Sequence, residues 1–555
     1  MNKVRIIPLG GLGEIGMNMT VIETENDMII IDCGVSFPDD SMLGVDLVTP
    51  DITYITQNKA KLRGLLITHA HEDHIGAIPY FLKEIKTQIY ATSFTMAVIK
   101  QKIIEKDMHI KLNEQIINPG KPFKLGDFKI EFINVNHSIP GAVAIAIKTP
   151  CGTIMHTGDF KIDITPTYGL PIDLNKFGQY GEDGVKLLLC ESTNAEKPGT
   201  TKSESDVALS IKELFGKYNN KRIVVATFSS NVFRLQSVVN AAVKYNRKII
   251  LTGRSMLSIS DVAIQQKILN IPEENLIDIE DIDKYKPEEI CLITTGSQGE
   301  PMSILYRMAF GEYRSINLDN NDVVILSSHT IPGNEKLVNA ILNKLAEKDV
   351  TIVNDYNTQN IHVSGHACQE ELKIIQTLIK PKYLMPIHGE FKHLKANKDL
   401  AIKLGMPEDN IIISKIGNVI EMTDEGISIT NENVKSGKML VDGNGIGDIG
   451  PVVLRERQIL SKNGIIFILL VISERNKYLL TDPEIITKGF IYLKESEELI
   501  NKLKEICKDE FNKCIEDYDI IEITKIQEKI KDSVYRFIRD TMDRNPMIIP
   551  IIKEI

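Results

Sequence analysis

The sequence has no long apolar run, no cysteine pair and no excess of positive charge, and each absence excludes a class of protein. The longest uninterrupted apolar stretch is the eight residues Ile465 to Ile472, well short of the roughly 18–20 that a membrane-spanning helix needs, so no segment is expected to cross a bilayer. The opening MNKVRIIPLGGLGEIG turns to glycine before the apolar region of a secretion signal could form, and a cytoplasmic location is expected. Seven cysteines (Cys33, Cys151, Cys190, Cys291, Cys368, Cys507 and Cys514) are scattered and odd in number. They make neither a disulfide framework nor a cysteine zinc site, and they read as reduced thiols. The formal net charge is −10, so a nucleic-acid partner must be held by a local basic or metal-lined groove instead of by overall charge. Internal repeats and low-complexity tracts are also lacking. What remains is ordinary globular composition, 43% hydrophobic and 25% charged over 555 residues, long enough for three or four domains of about 100–200 residues each.

Near the start, VRIIPL precedes Gly11-x-Gly13-x-x-Gly16, and Asp32 follows sixteen residues later. That spacing imitates a dinucleotide-binding fingerprint, but the fingerprint demands a helix after its last glycine. Here MNMTVIE is β-leaning, ENDM turns, and IIID is a second strand, which together spell a hairpin. Buried-strand patterns (GLLIT, FKIEFINV, AVAIAI, KLLLC) then recur to about Cys190. From about Ser203 to Val353 helical patterns alternate with buried strands such as RIVVATF, KIILTG, ICLITTG and DVVILSS. Such alternation implies a parallel sheet covered by helices. Residues 361–445 return to short strands and a histidine-bearing loop. Residues 443–463 hold four glycines and a proline followed by mixed charge, and read as a linker. Beyond it are expected a strand GIIFILLVI, a strand GFIYL, a helix with Leu499, Leu503, Ile506, Cys507, Phe511 and Cys514 on one stripe, a second helix and a terminal strand MIIPII. The expected division is 1–202 and 361–445 for one interrupted catalytic domain, 203–360 for the insert, 446–463 for the linker and 464–555 for a C-terminal module.

The chemistry is concentrated in Thr68-His69-Ala70-His71-Glu72-Asp73-His74, directly after a buried strand. Three imidazoles and an aspartate in six positions have little packing value, but they supply nitrogen and oxygen donors suited to zinc or manganese. HxHxDH alone cannot complete two coordination shells, so more ligands must come from other loops. His137 after FINVN, Asp159 in HTGDF and His388 in MPIHGE stand at strand ends and are the candidates.

These residues resemble the metallo-β-lactamase superfamily, with Asp32 in place of the strand-end aspartate that supports the metal loop there. The resemblance extends to the β-CASP branch, whose extra motifs look like Glu191 in CESTN, His366 in HVSGHA and His388 in PIHGE. Within that branch the chain is similar to the ribonuclease J family, through PLGGLGEIGMN, LLITHAHEDHIGAIPY, HTGDFKID, ESTNAE, TTGSQGEPMS, IPGNE, HVSGHA, KPKYLMPIHGE and NPMIIPIIKE. Glu191 stands where aspartate is common in relatives. The resemblance implies an α/β protein: a metallo-β-lactamase αββα sandwich with an inserted β-CASP α/β domain and a small C-terminal α/β domain. It implies one metal on His69, His71 and His137, a second on Asp73, His74 and His388, and Asp159 bridging both. Two divalent ions, zinc first and manganese or magnesium as alternatives, would share an activated hydroxide that attacks the scissile phosphorus. His366, oriented by Glu191, would protonate the leaving oxygen or stabilise the transferring charge, and these two with Asp73 form the expected catalytic set.

His362-Val363-Ser364-Gly365-His366 offers a hydroxyl, a glycine-permitted N–H and imidazoles as donors to a phosphate, or else a tight turn before a helix. The resemblance implies that it receives the 5′-monophosphate end of RNA. Ser229, Ser230 and Asn231, at the start of the VFRLQ helix, are further candidates for a phosphate contact, as are Arg234, Arg254 and Lys161. Asp442, in VDGNGIGD, is either an Asx-turn or a structural calcium ligand. The function implied is a metal-dependent ribonuclease, a 5′-to-3′ exonuclease with endonuclease activity on single-stranded RNA, acting in rRNA maturation and mRNA decay. Expected partners are a second copy (homodimer or homotetramer), a paralogue or an RNA-decay complex, and no membrane. A DNA-processing β-CASP nuclease, a hydrolase of small esters, and a non-catalytic RNA-binding paralogue or scaffold remain as alternatives.

Overall fold

Along the buried strands of the first half, side chains on alternate positions go to two different cores. Phe128, Ile130 and Phe132, Ile145 and Ile147, and Leu187 and Leu189 share one cluster, while Ala144, Ala146, Leu188 and Cys190 belong to another. A strand buried on both faces reads as one continuous apolar run, which is why KLLLC carries no polar residue in its centre. The computed structural model describes residues 2–331, 333–443, 445–473, 478–491, 497–517 and 522–555, in two units, 1–36 with 49–439 and 37–48 with 440–555.

In the first unit an eight-stranded sheet runs Ile427–Asn433, Asn418–Thr423, Lys3–Gly10, Met19–Glu23, Met28–Ile31, Leu62–Leu66, Gln88–Ala91, Asn113–Ile116. It faces a six-stranded sheet ordered Tyr383–Ile387, Val185–Glu191, Gly152–His156, Val143–Thr149, Phe128–Asn134, Phe123–Leu125. Val4, Ile6, Ile22, Ile29 and Ile31 from the first sheet meet Phe128, Phe132, Ile145 and Leu187 from the second. Each such side chain contributes about 1.5–3 kcal/mol by leaving water. The outer face of the six-stranded sheet is covered by the helices Leu174–Asp183, Gln369–Ile379 and Phe391–Lys403, and Ala144 and Ala146 leave room for them. This is the expected αββα sandwich. Met19–Glu23 and Met28–Ile31 pair antiparallel, so the early glycine motif opens a hairpin and not a dinucleotide site.

The insert is a five-stranded sheet, Lys248–Thr252, Ile290–Thr294, Arg222–Ala226, Asp322–Leu326, Thr351–Val353, parallel throughout as the alternation implied. Its first two helices, Glu204–Lys217 and Val232–Lys244, are tied by a buried ion pair, Arg234 Nη2 to Glu204 Oε1 at 2.7 Å.

In the second unit Ile465–Ile472 is the central strand, with Glu484–Lys488 antiparallel on one side and Met547–Glu554 parallel on the other. Leu503, Cys507, Phe511 and Cys514 of the helix Glu497–Asp517 pack with Ile526, Ile530, Val534 and Ile538 of the helix Ile523–Met542. The two cysteines are therefore apolar core. Three local expectations change. The residues read as a linker contain a helix, Pro451–Asn463, started by a proline that needs no hydrogen bond there and stopped at Gly464 with φ +74°. The strand lies at Glu484–Lys488 and not at GFIYL, because Gly489 leaves it with φ +65°; Tyr492 and Leu493 of that string lie outside the described residues. The segment 361–445 also carries a helix not anticipated, Phe391–Lys403.

Burial raises the Glu204 carboxyl, but Arg234 more than offsets this and holds it at about 2 against an ordinary 4.5. Its stabilisation is thus complete above pH 4.5 and is lost as pH falls toward 2. Glu204→Gln, which strands a buried guanidinium, is expected to destabilise the unit by about 3–5 kcal/mol at pH 7, with the difference in thermal unfolding from wild type shrinking below pH 4.

Candidate metal centre

Six strands deliver the site. His69, His71, Asp73 and His74 follow Leu62–Leu66, Asp32 follows Met28–Ile31, His137 follows Phe128–Asn134, Asp159 follows Gly152–His156, Glu191 ends Val185–Glu191, and His388 follows Tyr383–Ile387. Within each sheet these strands run the same way, so their carboxyl ends open at one edge of the sandwich. Three donor groups converge there, each with its ligand atoms within 4.8 Å: His69, His71 and His137; Asp73, His74, Asp159 and His388; and Asp159, Glu191, His366 and His388. All seven expected ligands are in the first two.

The outward nitrogen of four of these rings is bonded to oxygen, and for three of them the oxygen can only accept, which fixes the tautomer. His74 Nδ1–H donates to Asp32 Oδ2 (2.7 Å), and His137 Nδ1–H donates to the Gly365 carbonyl (2.7 Å). Thr68 Oγ1 gives its proton to Asp32 and so accepts from His69 Nδ1 (3.0 Å); Thr193 Oγ1 lies 2.6 Å from His388 Nδ1 and 3.3 Å from the His388 carbonyl. Nε2 of all four points inward; burial opposes a charge on His74, but Asp159, Asp73 and Asp32 lift it well above 6.5. His69 Nε2 and His137 Nε2 both lie 3.0 Å from His71 Nδ1, and a single proton there can serve only one of them. His388 Nε2 lies 3.0 Å from Asp73 Oδ2, and Asp159 Oδ2 stands 3.3 to 3.9 Å from the Nε2 atoms of His74, His69, His388 and His137. Buried lone pairs facing one another repel unless a cation lies among them, so the donor set fits divalent metal.

Burial drives His69 and His137 well below 6.5 and His71 to about 4, which keeps each ring neutral with one nitrogen free of a proton. Burial would raise Asp73 and Asp159 too, but the surrounding histidines, foremost His74 for Asp73 and His388 for Asp159, hold both well below 3.8. His366 is opposed by burial, yet Glu191 Oε2 at 2.9 Å from its Nδ1, with Asp159 behind, lifts it to about 9.

The backbone is forced to make this convergence. Asp32 (φ +61°) and His388 (φ +53°) are left-handed without being glycine, at about 1–3 kcal/mol each. Gly365 has no choice of side chain, since a Cβ there would sit 2.7 Å from the His137 ring. The early glycine run also finds its use here: the Gly11 carbonyl accepts the His388 N–H, and Asn18, seven residues on, donates to the Asp73 carbonyl and reaches His74 Nε2, both at 3.1 Å. Asn18, Thr68, Thr193 and Asn194 were not singled out from sequence. They sit inside the quoted motif strings, but nothing in a linear pattern says which ring each one meets.

The phosphate-pocket residues are partly brought to the centre. Ser364 Oγ accepts from Asn194 Nδ2 (2.9 Å) and from the His366 N–H (3.2 Å), beside Gly365 and hence His137. Val363 is buried. His362 lies 3.3 Å from Arg234 Nη1 and is driven to about 3 by burial and then by that guanidinium, so it is neutral. Ser229 and Ser230 line a cavity of about 300 Å³ that also reaches His71 and Glu72. Asn231 is a correction: its Oδ1 accepts the Arg234 N–H as a helix cap, its Nδ2 donates to Glu204, and the residue is buried. Arg234 and Lys161, expected on an RNA backbone, are buried as well, Arg234 on Glu204 and Ser327 and Lys161 on Asp163; Arg254 is exposed. Asp442 pairs with Arg457 at 2.6 Å and joins no group of three His, Cys, Asp or Glu donors among the described residues; Asn444 of the same turn lies outside them. No described helix is long and apolar enough to cross a membrane.

Asp32→Ala removes the acceptor that sets the His74 tautomer and is expected to weaken metal retention about 10–100-fold, read by metal analysis after dialysis against a graded chelator.

Comparison with known families agrees with this geometry. Four family models match: the Metallo-beta-lactamase superfamily over residues 12–163, the Ribonuclease J beta-CASP domain over 220–345, the Zn-dependent metallo-hydrolase RNA specificity domain over 355–413, and the Ribonuclease J C-terminal domain over 452–555. Ribonuclease J2 of Bacillus subtilis is 36% identical over 100% of this chain and 99% of its own length. Ribonuclease J of Helicobacter pylori is 41% identical over 97% of this chain and 77% of its own, and Ribonuclease J of Corynebacterium glutamicum 40% identical over 99% and 76%. A crystal structure of a protein of unknown function from Enterococcus faecalis shares the fold, with a TM-score of 0.55 at 16% identity, covering 76% of this chain and 100% of that one. The chain belongs to the ribonuclease J family.

Proposed function

We propose that the protein is a metal-dependent ribonuclease that hydrolyses RNA phosphodiester bonds from a 5′-monophosphate end, with endonuclease activity as well. The observation that carries this is the convergence of imidazole nitrogens and carboxylates at one sandwich edge, directly beside Ser364 and His366. One divalent cation would be held by His69, His71 and His137, a second by Asp73, His74 and His388, with Asp159 reaching both. When bound, such cations supply Lewis acidity, which brings the ionisation of water toward neutral pH and offsets charge on a phosphoryl group. Zinc suits this nitrogen and oxygen set, and manganese or magnesium are the alternatives.

The chain's own residues do the rest. Glu191 fixes the His366 ring at Nδ1 and keeps it charged at neutral pH. His366 can then donate from Nε2 to the departing 3′-oxygen, or hold the charge of the transferring group. Ser364 and the backbone of 362–366 receive the terminal phosphate. Val363 contributes packing to that turn. The division into 1–202 with 361–445, 203–360, the joining segment 446–463 and 464–555 is retained, as is association into a homodimer or homotetramer through the C-terminal module.

Asp73→Ala is expected to lose bound metal together with RNA cleavage, and His366→Ala to slow cleavage about 10²–10⁴-fold while keeping its metal. The check is metal analysis alongside cleavage of an end-labelled RNA with added Mn²⁺ or Zn²⁺; metal-free, inactive wild-type protein would overturn the reading. RNA with a 5′-monophosphate is expected to be degraded faster than the same RNA with a triphosphate, and Ser364→Ala to narrow that ratio. Equal rates at both ends in the wild type would remove the pocket assignment and leave the hydrolase in place.

A further inference from the structure

The eight-stranded sheet ends on an uncovered strand. Asn113–Ile116 is its last member, all four residues are exposed, and it pairs on one side only, parallel to Gln88–Ala91. Ile117 N–H donates to the Ala91 carbonyl. Alternation along the strand therefore directs the backbone groups of Asn113 and Gln115 inward and those of Glu114 and Ile116 outward. An open edge of this kind is a template for a further strand.

At its amino end, reached by Asn113, lies a groove of about 700 Å³ with an uneven charge. Lys83, Lys86, His109 and Lys111 are among its nine lining residues, and none of the nine is acidic. In a chain of net charge −10 this is a local reversal. Among the described residues none of the three lysines has a carboxylate within ion-pair distance; Lys83 rests over the Tyr80 ring instead. Glu114, on the strand itself, is already taken by Lys100 at 2.7 Å. The remaining lining includes Leu82, Ile110 and Leu112, an aliphatic floor, and Ile116 on the edge strand is 48% exposed.

The groove is remote from the metal centre. Thr87 and Asn113 stand at the amino ends of strands that run parallel to Leu62–Leu66, whereas the histidine loop follows that strand's carboxyl end.

We propose that this edge and groove form a docking site for an acidic, extended peptide segment of a partner protein, added as a strand beside Asn113–Ile116 with carboxylates on the lysines and aliphatic side chains on the floor. RNA is the other polyanion that the charge would suit. The groove favours the peptide because a single imidazole, His109, is the one ring among its nine lining residues on which a base could stack, while a sheet edge supplies the main-chain hydrogen bonds that a peptide needs and RNA cannot use. Binding of this kind is steered by charge and weakened by salt.

The test is fluorescence anisotropy of a labelled decapeptide alternating glutamate and valine, titrated with the full chain. Saturable binding is expected. The triple variant Lys83→Glu, Lys86→Glu, Lys111→Glu should weaken it about tenfold or more, equivalent to about 1.4 kcal/mol. Ile116→Pro, which removes an outward N–H while sparing the inner ladder, should weaken it through an independent route, and a peptide with lysine in place of glutamate should not bind. RNA cleavage at the wild-type rate certifies the fold of either variant and separates this test from the catalytic reading. Absence of peptide binding overturns the proposal. So does binding indifferent to both variants, or a labelled RNA oligonucleotide that shows the lysine dependence when the peptide does not bind.

Discussion

Seven donors from four stretches of chain can share a buried space only if each ring directs a nitrogen inward, and that requirement organises everything around them. A buried imidazole has two nitrogens, and the one facing away from the centre needs an oxygen acceptor to keep its proton. Asp32, Thr68 and the Gly365 carbonyl are those acceptors for His74, His69 and His137. Remove the acceptor and the ring is free to change tautomer, rotate or pick up a second proton, and the lone pair no longer faces its neighbours. The strained backbone at Asp32 and His388 is the energetic price of holding rings and acceptors in register.

The sandwich makes this affordable because its two sheets bring parallel strands to a single edge. Large side chains between the sheets and small ones beneath the helices fix each strand's height, and the loops that follow inherit that precision. The insert contributes through rigidity of a different kind: Arg234 and Glu204 lock its first helices together from within, and the same guanidinium lies against His362. Charges that look like surface contacts for RNA are thus part of the frame that positions the segment 362–366.

Much of the architecture was legible. Period-two and helical patterns gave the hairpin after the glycine run, the all-parallel insert and the two-helix C-terminal module, because those patterns report directly on which faces are buried. Pro451–Asn463 was read as irregular because its glycines precede the helix instead of interrupting it. The strand at Glu484–Lys488 gives a weaker signal in the sequence than GFIYL since EIITK holds only two adjacent apolar residues, and its alternation is in burial and not in polarity. The donor cluster was legible for a separate reason: His, Asp and Glu gathered in short polar loops after buried strands have few structural uses.

The amino-acid order alone determined which groups can donate to a metal, for such a donor is defined by its side-chain type and its place at a strand end. It could not determine which atoms face which. Whether Asn231 meets a ligand or caps a helix, whether Arg234 is a surface charge or a buried strut, and which oxygen holds each imidazole were decided only by the fold, because these depend on distances between segments hundreds of residues apart. His137 and Gly365, 228 positions apart and in contact at 2.7 Å, show why: local spacing fixes what a residue can do, and packing fixes what it is given to do it with.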